Sequence, residues 1–171
     1  MNDATFIPLV GGCTCEKVRF RIDVEPIITH CCHCYQCQKF SGSAFRVNSM
    51  IEAEHVVVTK GTPKSFEGKD NQKVMQCRDC GTTLWSYHAK LGEVIVFVGM
   101  GVLDAEHRLQ PEAHYFARSK QPWVVPPPGV PVFEEGGDPG KPTAGPRIMA
   151  ALAKAGGGRS ISDYTGEPAA S

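Results

Sequence analysis

Charge of one sign is what this chain lacks: 18 Lys and Arg balance 18 Asp and Glu, for a formal net charge of +0. A zero total builds no long-range field to gather nucleic acid or an anionic membrane, so no nucleic-acid partner is expected. Long apolar runs are missing too. The longest, Val94 to Leu103, falls short of the about 20 residues that a membrane-crossing helix needs. Met1-Asn2-Asp3-Ala4-Thr5-Phe6-Ile7-Pro8 carries no basic stretch followed by an apolar one, so no secretory signal is expected, and the chain is read as cytoplasmic. No segment before Pro122 keeps a sustained helical period, which argues against long amphipathic helices.

Cysteine, in contrast, is present and unevenly placed. Seven of the eight fall into three clusters: Cys13-Thr14-Cys15, Cys32-His33-Cys34-Tyr35-Gln36-Cys37 and Cys77-Arg78-Asp79-Cys80. The eighth, Cys31, abuts the second cluster. Thiols one to three residues apart suit a metal better than a disulfide framework, above all in a reducing compartment. Cys13 and Cys15 point to one face of an extended chain, and Cys77-x-x-Cys80-Gly81 has the spacing of a zinc knuckle. Gly81 permits the left-handed turn that lets backbone N–H groups approach the sulfurs. Neither pair completes a tetrahedron alone. Together they predict a closed four-thiolate site of structural type. A redox Cys-x-x-Cys expects a strand-to-helix context, whereas Gly81-Thr82-Thr83-Leu84-Trp85 leads into a strand.

The second cluster offers three thiolates, Cys32, Cys34 and Cys37, from one short loop. Three protein ligands with one position left is the layout of a catalytic zinc. Three thiolates make the cation a weak Lewis acid and a soft one, suited to an incoming sulfur held as thiolate. Cys31, His30 or His33 are candidates to close the site instead. On an extended chain Cys31 and His33 point away from the neighbouring ligands.

Alternation marks Lys17 to Ile22 as a strand with Val18, Phe20 and Ile22 on one face. Ala44–Val47, Val56–Thr59, Thr83–Tyr87 and Val94–Val98 read as further strands, separated by turn signals at Gly61-Thr62-Pro63, Gly68-Lys69-Asp70-Asn71 and Lys90-Leu91-Gly92. The fold class is therefore mainly β, built of packed sheets. After Trp123 the composition turns Pro- and Gly-rich. A domain over residues 8–125 and a largely irregular extension over 126–171 are expected. Within the extension Arg147 to Ala155 has the makings of a short helix whose Ile148 and Leu152 dock weakly, but a mostly flexible tail is the expectation.

The ordered combination Gly11-Gly12-Cys13-Thr14-Cys15-Glu16-Lys17-Val18-Arg19-Phe20, Cys32-His33-Cys34-Tyr35-Gln36-Cys37-Gln38-Lys39, Gly42-Ser43-Ala44-Phe45, Cys77-Arg78-Asp79-Cys80-Gly81-Thr82, Pro111-Glu112-Ala113-His114 and Ser119-Lys120-Gln121-Pro122-Trp123 resembles the glutathione-dependent formaldehyde-activating family, also called the CENP-V/GFA domain. The resemblance implies a β-tent-like zinc-binding fold of packed antiparallel sheets with two zinc ions. One would fall on Cys13, Cys15, Cys77 and Cys80, the other on the catalytic group Cys32, Cys34 and Cys37. It implies a carbon–sulfur lyase reaction on an adduct of glutathione, or another small thiol, with an aldehyde such as formaldehyde. Gln38 departs from the arginine common after the third cysteine. Lys39 is a possible helper, while Phe45, Trp85 and Trp123 are assigned no role. The rival functions are a zinc-stabilised protein-interaction module without turnover, and a thiol redox or metal-buffering protein.

Overall fold

A computed structural model of the chain describes residues 6–68, 72–88, 90–104, 109–136 and 144–155. Its smaller sheet is antiparallel, with β2 (Arg19–Ile22) between β1 (Leu9–Gly12) and β5 (Val56–Lys60). The larger sheet contains β3 (Ile28–Cys32), β4 (Arg46–Glu52), β6 (Lys64–Glu67), β7 (Lys73–Gln76), β8 (Thr83–His88), β9 (Gly92–Gly99) and β10 (Ala113–Tyr115). Its strand order is β10-β3-β4-β9-β8-β7-β6. The mainly β expectation holds. All pairs are antiparallel except β10 with β3, which run parallel.

Period-2 alternation decides where the core sits. On β2, Phe20 and Ile22 are buried while Arg21 is exposed. On β4, neighbours Met50 and Ile51 fall into different cores, and so do Ile95 and Val96 on β9. The central strands of the large sheet are therefore buried on both faces. One face packs against the small sheet through Ile51, Trp85, Val96 and Val98, with the Trp85 ring edge-on to Phe20 at 5.6 Å. The opposite face carries Ile28, Met50 and Ile95 and is covered by α2 (Ala144–Lys154).

The short helix read over Arg147 to Ala155 is present as α2, and its docking is firm rather than weak; residues 137–143 and 156–171 of the expected irregular extension lie outside the described residues. Ala144, Ile148, Ala151 and Leu152 are all buried. Arg147 donates through Nε and Nη2 to the two carboxylate oxygens of Glu52, both at 2.6 Å. An apolar sheet face needs a cover, and the i,i+4 pair Ile148 and Leu152 supplies it. A second helix, α1 (Tyr35–Ser41), was not expected at all. No helix among the described residues is long and apolar enough to cross a membrane.

Candidate metal centres and adjoining cavity

Two hairpin turns meet at the first centre. Between β1 and β2, Cys13 N–H donates to Val18 O and Glu16 N–H to Cys13 O, both at 3.0 Å. Glu16 takes φ 59 to close this hook. Between β7 and β8, Cys77 N–H donates to Thr82 O and Gly81 N–H to Cys77 O, again at 3.0 Å. Gly81 has φ 72, the left-handed turn expected of it. The hooks are tied outside the sulfurs by the Thr14–Thr82 hydroxyl pair at 3.1 Å and by Lys17 to Asp79 at 2.8 Å. Inside, the Sγ atoms of Cys13, Cys15, Cys77 and Cys80 lie within 4.8 Å of one another. Cys13 to Cys15 measures 3.5 Å, and Cys15 to Cys77, 62 positions apart, 3.7 Å. A zinc–sulfur bond of about 2.3 Å gives a tetrahedron whose sulfur–sulfur edge is about 3.8 Å. The donor set fits such a cation. Val18 N–H also points at Cys13 Sγ, at 3.3 Å, as a thiolate acceptor invites.

The second centre forms where β3 ends. Cys32 is its last residue, and His33 N–H is held by Tyr115 O on β10 at 2.9 Å. The chain then turns into α1, so the loop is extended only as far as Cys34. Cys34 is the N-cap, its Sγ accepting from Cys37 N–H at 3.4 Å. Helix entry brings the Cys37 sulfur back over that of Cys34. The three Sγ atoms of Cys32, Cys34 and Cys37 lie within 4.8 Å of one another, with Cys32 to Cys34 at 3.5 Å. The sulfurs hydrogen-bond one another, and this lowers the Cys34 pKa while raising that of Cys32. Three sulfurs this close share negative charge badly until a cation joins them, so this donor set fits a metal as well.

None of the proposed closers joins this group of three. Cys31 is buried one residue earlier on β3, on the strand's other face. His33 is 0% exposed and stacks on His114 at 5.2 Å, with 2.9 Å between Nε2 and the partner's Nδ1. Burial first, then the neighbouring His114 and Lys120, pulls the His33 pKa down to about 4, so its imidazole is neutral.

An open cavity of about 760 Å³ lies beside α1, the helix whose first turn carries Cys34 and Cys37. Tyr35, Gln38, Lys39 and Ser43 line one side, Gln121 and Trp123 the other. Gln38 braces the walls. Its amide donates to His33 O at 2.7 Å and to Ser119 O at 2.9 Å, and accepts from Gln121 Nε2 at 3.0 Å. Lys39, a possible helper from sequence, and Trp123, assigned no role there, both line this space, whereas Trp85 is core and Phe45 packs on His33. The bracing by Gln38 and Gln121 left no sequence signal, because the partners are 83 positions apart.

Comparison with known proteins adds three findings. The sequence model of a family described as glutathione-dependent formaldehyde-activating enzyme matches residues 8–119, a span holding both cysteine groups. A Schizosaccharomyces pombe protein named as an uncharacterized lyase is 27% identical over 75 residues, or 44% of this chain and 54% of that protein. The chain thus spans about half the length of that curated relative. A Rhodobacter sphaeroides protein of known crystal structure aligns with a TM-score of 0.48 and 16% identity, over 72% of this chain and 98% of that one.

Proposed function

This chain belongs to the glutathione-dependent formaldehyde-activating enzyme family, and from that premise we propose that it is a zinc-dependent carbon–sulfur lyase. Its substrate would be the adduct of a small thiol such as glutathione with an aldehyde such as formaldehyde. The observation that carries this reading is the inequality of the two sulfur groups. Four sulfurs stand between two hairpins, and three stand in a loop whose helix, α1, lines an open cavity. Cys13, Cys15, Cys77 and Cys80 would hold a structural zinc, and Cys32, Cys34 and Cys37 a second, catalytic one. Bound to three thiolates, that second zinc would favour a further sulfur ligand in its nucleophilic thiolate form.

The reaction is balanced simply. In the forming direction the thiol sulfur bonds to the aldehyde carbon, and the carbonyl oxygen takes the proton the thiol gave up. In the lyase direction the carbon–sulfur bond breaks and the hydroxyl proton returns to sulfur. The chain's residues bind and orient. Lys39 offers a cation to a thiol's carboxylate, and Tyr35 and Trp123, 70% and 72% exposed, offer flat apolar walls. Gln38 fixes the distance between those walls and the cysteine loop.

Metal counting and cobalt substitution test the proposal. Two metals per chain are expected, and titrating glutathione should change the cobalt–thiolate absorption. Cys34→Ser should lose one metal and the glutathione response while keeping the fold. A cobalt spectrum indifferent to glutathione would remove the support for an open position.

A further inference from the structure

β4 carries Arg46 and Asn48 two residues apart, on one face, and Arg46 is the register partner of Cys32 on β3. Both side chains are buried, Arg46 at 8% and Asn48 at 4% exposure. Asn48 Nδ2 points at Cys37 Sγ from 3.9 Å. The Arg46 guanidinium lies over the Phe40 ring, 5.9 Å from its centroid. It also runs against Gly99 on β9, where a Cβ would stand 2.9 Å from Arg46 Nη2. The bare backbone there makes room for the guanidinium. Among the described residues no carboxylate comes within ion-pair distance of Arg46. A buried guanidinium without a counter-charge is costly. Burial lowers its pKa, and Cys37 and Cys32 act in the opposite direction.

We propose that Arg46 is the built-in counter-charge of the Cys32, Cys34 and Cys37 loop, and that with Asn48 it makes the loop prefer an anionic fourth ligand over a neutral one. The charge count supplies the reason. Three neutral thiols release three protons to solvent on taking up one divalent cation, and the loop passes from zero to −1. A thiolate in fourth place brings it to −2, whereas a neutral ligand leaves it at −1. A fixed positive charge in a poorly hydrated setting favours each step toward negative. Arg46 is thus a positioning residue that acts through Cys32 and Cys37. The preference for a thiolate rests on the proposed function; the counter-charge role does not.

The test uses the full chain loaded with cobalt, in wild type, Arg46→Met and Arg46→Lys. Each is titrated with 2-mercaptoethanol, which binds as thiolate, and with imidazole, which binds neutral. Arg46→Met is expected to weaken thiol binding about tenfold or more and imidazole binding less than about twofold, with Arg46→Lys close to wild type. Equal losses for both ligands, or no loss for the thiol, overturn the proposal. Should Arg46→Met fail to fold, Asn48→Asp keeps the shape and sets a carboxylate against Cys37. It is expected to weaken thiol binding and spare imidazole, and unchanged thiol binding overturns the proposal. If wild type itself ignores the thiol, the proposed function fails. Arg46 is then judged by cobalt affinity of the three-cysteine loop in competition with a chelator. A tenfold loss in Arg46→Met upholds the counter-charge, and unaltered affinity overturns it.

Discussion

Gly81 shows how a single residue serves the four-cysteine group. Its φ of 72 lies where side chains with a Cβ are strained, yet a Cβ there would meet nothing within 4 Å. Gly81→Ala is therefore expected to cost about 1–2 kcal/mol through backbone strain alone. Urea denaturation of the metal-loaded protein measures that cost. A larger loss would mean that the Cys77–Cys80 hook itself had opened. At this scale the cysteines were legible, because ligand spacing is a local property of sequence. Gln38, Arg46 and Asn48 were not. Gln38 meets Gln121 and Ser119 from distant parts of the chain, and Arg46 meets Cys32 across a strand pair. Their roles depend on register, which no single window of sequence contains.

Short elements escaped the sequence reading for a physical reason. α1 has seven residues and none of them is buried, so it leaves no apolar period to detect. Its start is written instead in a sulfur acting as N-cap. β3 reads Ile-Thr-His-Cys-Cys, every residue buried, with none of the alternation that revealed β2. The i,i+4 pair on α2 was visible, but its docking required the sheet face formed by Ile28, Met50 and Ile95, which only the fold assembles. Ile148 is 0% exposed there, so Ile148→Ala is expected to cost about 2–5 kcal/mol in chemical denaturation. Arg147→Ala leaves the buried Glu52 carboxylate without its two hydrogen bonds. Because Arg147 is partly exposed, a loss of about 1–2 kcal/mol is expected in the same assay. A result near zero for both variants would mean that the helix does not dock.

At the scale of the whole molecule, the four-cysteine group joins the β1–β2 turn of the small sheet to the β7–β8 turn of the large one. A structural zinc in small peptides contributes roughly 10–16 kcal/mol of apparent free energy. That compares with about 5–15 kcal/mol for a typical domain. Chelating the metals proposed for the two groups is expected to abolish the cooperative thermal transition and the near-UV signal of Trp85 packed on Phe20. Cys34→Ser should keep both, because the three-cysteine loop joins no second sheet. Retention of a native near-UV spectrum after complete metal removal would refute the fastening role of the first group.

The parallel pairing of β10 with β3 carries a consequence for biosynthesis. β3 leaves the ribosome some eighty positions ahead of the strand that will flank it, since Ala113 pairs with His30. By the time that strand appears every clustered thiol has already emerged, while one rim of the large sheet is still bare. Such a rim invites pairing between nascent chains. Ions captured early, before Tyr115 seats, would give the newborn polypeptide its best protection from clumping.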